Sequence, residues 1–355
     1  MADPLLELRG RIDALDTRLL KLLSERARLA QRIGTLKGGK AVYRPEREAQ
    51  ILRRIAALNP GPLTSASLRQ IYIEIMSACR SLEDHLSVAY LGPAGTYSEQ
   101  AAVKAFGGST PYVACPSIDE VFRQVEAGLT GHGIVPVENS TEGSVGRTLD
   151  LLLTTGAKIC GEVVLPIHHC FMSRVKTLAA VKRVYAHPQS LAQCQGWLAR
   201  LLPEAAQVPV LSNAEAARIA AQEQGAGAIA GRNAASLYKL GVLASNIEDE
   251  TNNTTRFLVI GPDGARPSGK DKTSLVLSTR NVPGAIHELL TPLARHAVSM
   301  TKLASRPART GLWEYVFYVD VEGHADDAHV ARALRDIEKR AAYFKNLGSY
   351  PAAPR

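Results

Sequence analysis

GIVPVENSTEG, residues 133–143, holds the decision about this chain's fold. It begins as a buried strand would, with Ile134, Val135 and Val137, then stops at five consecutive polar side chains: Glu138, Asn139, Ser140, Thr141 and Glu142. Such a run is either a solvated turn capping the next helix or the lining of a site. The flanking sequence supplies context. Short apolar strands alternate with helical stretches: 88–92 then a helix from about Ser98, 133–137 then 144–153, 183–186 then 190–202, 208–211 then 213–224. This alternation predicts an α/β domain with largely parallel sheets. Ligands in such sheets sit beyond the carboxyl ends of strands, where helix N-termini aim amides at anions. ENSTEGS lies between a strand and a helix, so it belongs at that edge.

Upstream the character is different. Leu5, Leu8, Ile12, Leu15, Leu19, Leu22, Leu29, Ile33 and Leu36 recur at spacings that predict one helix over 4–38. It would span roughly 52 Å, too long to bury its stripe within some 85 residues, so a helix-exchanged dimer is expected. Gly38-Gly39 ends this helix, Arg44-Pro45 opens a second to about Leu58, and Asn59-Pro60-Gly61-Pro62 breaks the chain again. Leu68, Ile71, Ile75, Cys79, Leu82 and Leu86 mark a third helix, which makes 1–87 an all-α unit. Downstream, strand 256–260 ends at Gly261-Pro262, and DGARPSGKDK (263–272) reads as a linker. The order strand, helix, strand, strand, helix, strand then predicts a ferredoxin-like α+β domain over 272–355.

Bulk numbers agree with this division. A chain of 355 residues exceeds one ordinary core, and 46% apolar with 21% charged residues is ordinary globular composition. No stretch reads as a membrane span, and the N-terminus lacks a signal-peptide pattern. Five scattered cysteines without a Cys-x-x-Cys pair suit reduced thiols in a cytoplasm. The net charge is +8; residues 1–86 hold 15 Lys/Arg against 10 Asp/Glu. That excess is spread along helices without interleaved aromatics, so a small, multiply anionic substrate is expected rather than nucleic acid. LPIHHCFM (165–172) reads as strand and not as a metal site, because no second ligand cluster accompanies it.

Arg26 stands in the first helix where the apolar stripe wants a leucine. A structural ion pair or a snorkelling side chain would account for it alone. Arg9, Lys37, the Arg47-Glu48 pair and Glu83 join it on the bundle interior. LRGRIDALDTRLLKLLSERARLAQRIGTLK, RPERE and IMSACRSLE together resemble the all-helical chorismate mutases, across nearly all of residues 5–86. The resemblance implies that Arg9, Arg26, Lys37, Arg47, Glu48 and Glu83 line an active site, one arginine coming from the partner chain. Chorismate rearranges to prephenate by a pericyclic shift, so holding the dianion and stabilising charge on its ether oxygen is all that is needed. Two departures stand out: Arg44 where some relatives have an acid, and Glu83 where others have glutamine. Glu83 donates to the ether oxygen only when protonated.

AYLGPAGTYSEQAA (89–102), ENSTEG, AHPQSLAQC (186–194), SNAEAA (212–217) and TNNTTRFLVIG (251–261) are similar to prephenate dehydratase over residues 88–262. That similarity implies two α/β lobes, like a bilobed periplasmic binding protein, with the site in the cleft. It assigns Thr255 to the departing hydroxyl, within a network of Glu138, Asn139 and Gln193, and Thr96, Ser140, Thr141 and Arg256 to substrate contacts. His187, before Pro188, reads as a turn-shaping residue, and Ala186 stands where some relatives have serine. Residues 272–350 resemble an ACT domain that binds phenylalanine at a dimer interface, through Asn281, Pro283, Gly284, Ala285 and Ile286 of NVPGAI and Ser305, Arg306 and Pro307 of TKLASRP. Ala304 replaces a usual glutamate there.

The three resemblances imply successive reactions, chorismate to prephenate and prephenate to phenylpyruvate, with phenylalanine as effector. Neither reaction requires a metal or organic cofactor. A homodimer, or dimers paired into a tetramer, is expected, with neither nucleic acid nor membrane as partner. The rivals are an enzyme retaining one of the two activities and a non-catalytic amino-acid sensor.

Overall fold

The computed structural model describes residues 3–37, 43–83, 86–307 and 315–353. The N-terminal unit is α1 (Pro4–Lys37), α2 (Pro45–Leu58) and α3 (Ser65–Arg80). The seam on α1 is largely uncovered: Leu8, Leu15, Leu19 and Leu22 are each more than half exposed, at 53%, 58%, 53% and 63%. α1 meets the rest of the unit near its C-terminal end. There Gly34 lies so close to Glu83 that a Cβ would come 3.1 Å from the Glu83 Cβ. α3 is shorter than its apolar pattern suggests. It stops at Arg80, where Ser81 turns its hydroxyl onto the Ala78 carbonyl at 2.8 Å, and Leu82 and Glu83 lie in the turn beyond.

The middle of the chain forms two lobes. The first contains β1 (Val88–Leu91), α4 (Tyr97–Phe106), β2 (Tyr112–Cys115), α5 (Ile118–Glu126), β3 (His132–Asn139), β4 (Gly143–Ser144), α6 (Gly146–Thr154) and β5 (Lys158–Pro166). The second runs from β6 (Cys170–Ser173) through β7 (Arg183–Ala186), α7 (Pro188–Gln193), α8 (Gln195–Leu201), β8 (Ala206–Pro209), α9 (Asn213–Ala220), β9 (Ala226–Ala230) and α10 (Arg232–Tyr238) to β10 (Gly241–Ser245). The chain then returns to the first sheet as β11 (Thr254–Gly261), giving the orders β2-β1-β3-β11-β5 and β10-β6-β9-β7-β8. Each sheet is mixed, not largely parallel: along each order one strand, β11 in the first and β6 in the second, runs against both its neighbours. The reversal follows from the connections, because the strands that cross between lobes enter from the opposite end.

Residues 167–169 and 246–253 are those crossings, and they are tied together. Ile167 N donates to Asn253 O at 2.8 Å, and Ile247 N to His169 O at 3.0 Å. His168-His169 is therefore hinge, not strand.

The C-terminal domain comprises β12 (Asp271–Ser278), α11 (Ala285–Arg295), β13 (Met300–Pro307), β14 (Tyr315–Glu322), α12 (Ala328–Glu338) and β15 (Tyr343–Pro351), in the sheet order β13-β14-β12-β15. Its sheet shares one core with the first lobe, where Val276, Tyr318, Leu347 and Tyr350 pack with Val135, Leu149, Leu152 and Ile159. Gly348, at φ +140, makes the approach possible, because a Cβ there would fall 2.2 Å from the Ile159 carbonyl oxygen.

Candidate active site

The cleft between the lobes encloses about 880 Å³. Helix N-termini from both lobes open onto it: α4 at Thr96, α7 at His187, α9 at Ser212 and α10 at Gly231. The positive ends of these helices face the cleft, and among the described residues no Lys or Arg lines it. Thr96 does two things here: it caps α4 by accepting from Glu99 N, and it donates its hydroxyl to the Leu91 carbonyl at 3.1 Å, while the Glu99 carboxylate accepts from Gly95 N at 2.6 Å.

The floor is a closed ring of hydrogen bonds. Asn139 Nδ2 donates to Asn253 Oδ1 at 2.8 Å, Asn253 Nδ2 to Gln193 Oε1 at 3.1 Å, Gln193 Nε2 to Thr141 Oγ1 at 3.0 Å, and Thr141 Oγ1 back to Asn139 Oδ1 at 2.6 Å. Every bond runs the same way, so each polarises the next. The amide orientation of Asn139 is fixed, since its Oδ1 also accepts from Thr141 N and Glu142 N. Its Nδ2 therefore faces Thr255, donating to Oγ1 at 2.8 Å. That leaves the Thr255 hydroxyl able to donate its own proton to a ligand oxygen. His169 braces the ring: Nε2 lies 3.0 Å from Gln193 Oε1 and Nδ1 lies 3.0 Å from the Tyr97 hydroxyl. Burial holds its pKa below the usual histidine value, Nε2 faces the acceptor oxygen of Gln193, and the Tyr97 hydroxyl beside Nδ1 donates to the His168 carbonyl at 2.8 Å.

Asn139, Gln193, Thr141, Thr96 and Thr255 thus converge as the sequence suggested. Ser140 stands beside them, clasping the return crossing by accepting from Thr254 N at 2.9 Å. His187 caps α7 by accepting from Gln189 N and also lines the cleft. Sequence reasoning missed Tyr97, His169 and Asn253. Tyr97 and Asn253 lie inside the quoted strings, but His169 carries no sequence signal, because its role depends on where the hinge puts it.

Glu138 and Arg256 are not in the cleft. Glu138 pairs with Arg256 across β3 and β11, one position before Asn139 pairs with Thr255, and strand alternation sends the two pairs to opposite faces. On the far face Arg256 Nε donates to Glu162 at 2.8 Å, Nη1 to Asp320 at 2.6 Å and Nη2 to the Tyr350 hydroxyl at 2.9 Å. Lys302 Nζ donates to Glu138 at 2.8 Å. Both residues join the C-terminal domain to the strands that carry the floor of the cleft.

In the helical unit, Arg26 lies near enough to Glu48 to act on its carboxyl, and Glu83 packs against Gly34 of α1. Glu48 is raised in pKa by burial, opposed by the charges of Arg80 and Arg26. Arg80, which the sequence reading passed over, donates to the Glu48 carboxylate. Arg47 is exposed on α2. Arg9 lies about 25 Å up the α1 axis from Arg26, out of reach of this cluster within one chain. Lys37 ends α1, and its side chain lies outside the described residues.

A second cavity, of about 810 Å³, is lined by Asn281, Gly284, Ala285 and Ile286, with Tyr315 and Phe317 of β14 and Leu153 and Thr154 of α6. Gly284, at φ +78, caps α11 in the left-handed region. Pro283 lies in the same turn. Ser305, Arg306 and Pro307 are elsewhere, on β13, and Arg306 Nε donates to Asp150 of α6 at 3.0 Å. β13 is the sheet edge beyond β14, and alternation aims Arg306 at the neighbouring lobe.

A hinged α/β domain with an amide- and hydroxyl-floored cleft, joined to a helical unit and a ligand-pocket module, defines a multidomain enzyme of small polar molecules. The family models for chorismate mutase type II, prephenate dehydratase and the ACT domain match residues 8–84, 88–265 and 273–339 in that order. A bifunctional chorismate mutase/prephenate dehydratase from Neisseria gonorrhoeae is 51% identical over 348 residues, which is 97% of this chain and 96% of the relative. The chain belongs to the bifunctional chorismate mutase/prephenate dehydratase family. Among solved structures, prephenate dehydratase from Arthrobacter aurescens in complex with L-Phe matches at 33% identity and TM-score 0.70, covering 76% of this chain and 90% of that one. GqqA, described as a novel type of quorum-quenching acylase, matches at 31% identity and TM-score 0.70, covering 76% and 98%.

Proposed function

We propose that this chain converts chorismate to prephenate in its helical unit and prephenate to phenylpyruvate in the α/β cleft, under inhibition by phenylalanine bound at the NVPGAI cavity. The units are 1–87, 88–265 and 272–355, the last a ferredoxin-like ACT domain. One observation carries the reading most: a unidirectional ring of amides and a hydroxyl holds Thr255 at the floor of a cleft rimmed by helix N-termini. Loss of carbon dioxide and hydroxide from prephenate is driven by aromatisation. The cleft needs a hydrogen-bond donor for the leaving oxygen and amides for two carboxylates, and it has both. A sensor would have no use for a polarised donor aimed at a ligand oxygen.

In the helical unit Arg26, Lys37 and Arg47 hold the dianion, completed by Arg9 of a second copy. The exposed leucine seam of α1 supports that homodimer. The effector reading rests on the motif turn, the cavity it lines, and α6, which forms one wall of that cavity and follows directly on the Asn139–Thr141 segment. Five buried, unpaired cysteines favour the cytoplasm.

The test is to supply chorismate and follow prephenate and phenylpyruvate together, with and without phenylalanine. Phenylpyruvate formation suppressed by phenylalanine supports the whole reading; no turnover of chorismate or added prephenate defeats it. Glu83 gives a second expectation. Glu83→Gln, which carries a permanent amide donor, should retain mutase turnover, whereas Glu83→Leu, which carries none, should lose it. A leucine variant as active as the wild type would remove Glu83 as the donor.

A further inference from the structure

We infer that Arg80 is a positioning residue for the mutase reaction and that the dehydratase domain holds it in place. The inference rests on the reading of Glu48 as a mutase site residue. Arg80 sits at the end of α3 with a side chain 6% exposed. One terminal nitrogen, Nη1, donates to Glu48 Oε1 in the helical unit. The other, Nη2, donates to the Phe106 carbonyl at the C-terminal end of α4, in the dehydratase domain. Its guanidinium carbon lies 5.6 Å from the centre of the Tyr43 ring and 5.9 Å from that of Phe106. The fork is thus committed at both tips, one to each domain, and stacked between rings that fix its plane.

A buried carboxylate needs a permanent cation to stay ionised and oriented. Arg26 is close enough to act on Glu48, but its guanidinium belongs to the substrate's anionic groups. Arg80 stands behind Glu48, with its second tip anchored in the neighbouring domain, and supplies that charge whether or not substrate is bound. Lysine would keep the charge but could not serve both acceptors with fixed geometry. The helical unit's site is therefore completed from outside, by a backbone carbonyl of α4.

The experiment is a double-mutant cycle on the full-length protein, reading mutase kcat/KM and, separately, dehydratase turnover of added prephenate. R80Q should lower mutase kcat/KM by about 10–100-fold, the loss of one charge-assisted hydrogen bond, while prephenate turnover persists. E48Q should lower it too, and R80Q/E48Q should be no worse than E48Q alone, because Arg80 acts through that carboxylate. R80K should recover part of the loss. Multiplying effects in the double variant, or a mutase untouched by R80Q, overturns the inference. An E48Q variant with wild-type mutase instead overturns the assignment of Glu48, and the inference falls with it. If R80Q loses both activities through misfolding, R80K against R80K/E48Q carries the same cycle.

Discussion

Replacing Thr255 by valine is expected to lower dehydratase turnover by about 10²–10³-fold, the usual cost of removing one preorganised donor from developing negative charge. Valine keeps the shape and the strand preference of threonine, so the loss reports chemistry and not folding. Asn139 Nδ2 would still have Asn253 Oδ1 as acceptor, which keeps the ring closed. Thr255→Ser, which retains the hydroxyl, should lie much nearer the wild type. Formation of prephenate from chorismate should be unchanged in both, since Thr255 lies in a different domain from α1–α3. Prephenate would then accumulate in the valine variant. A T255V enzyme that releases phenylpyruvate at the normal rate would remove Thr255 from the reaction.

Arg256→Ala is expected to act on stability and regulation, not on substrate binding. Arg256 is 13% exposed and meets Glu162, Asp320 and Tyr350, with Glu162 and Asp320 only 1% and 9% exposed. Removing the cation leaves Asp320 with Ser274 as a remaining side-chain donor, while Glu162 keeps Lys272. Truncating one member of a buried charge cluster costs about 3–5 kcal/mol, and the lower end applies here because Lys272 remains. Thermal unfolding should shift down accordingly, and half-maximal inhibition should need more phenylalanine. The KM for prephenate, measured below the transition, should change little. A raised KM with unaltered stability would instead return Arg256 to the cleft as a carboxylate contact.

That choice shows where reading from sequence ends. Glu138, Asn139, Thr255 and Arg256 are adjacent in two strings that resemble one enzyme, and the resemblance implies a place in its site for all four. The strands divide them two and two by alternation, and only the pairing of β3 with β11 tells which pair faces which domain. Likewise Arg306 and Ser305 stand in the quoted motif but not in the cavity, because β13 is an edge strand turned toward α6.

Local pattern by itself determined the three units, the long first helix with its uncovered leucine seam, and the βα alternation. These follow from periodicity and turn chemistry acting over a few residues. Tertiary structure alone decided the rest. It brought His169 from a hinge to Gln193, closed the ring beneath Thr255, mixed the strand directions of both sheets, and set Arg80 between two domains. Each of those depends on residues from distant segments meeting at hydrogen-bond range. The order of residues along the chain does not carry that distance; the packing of the lobes against one another does.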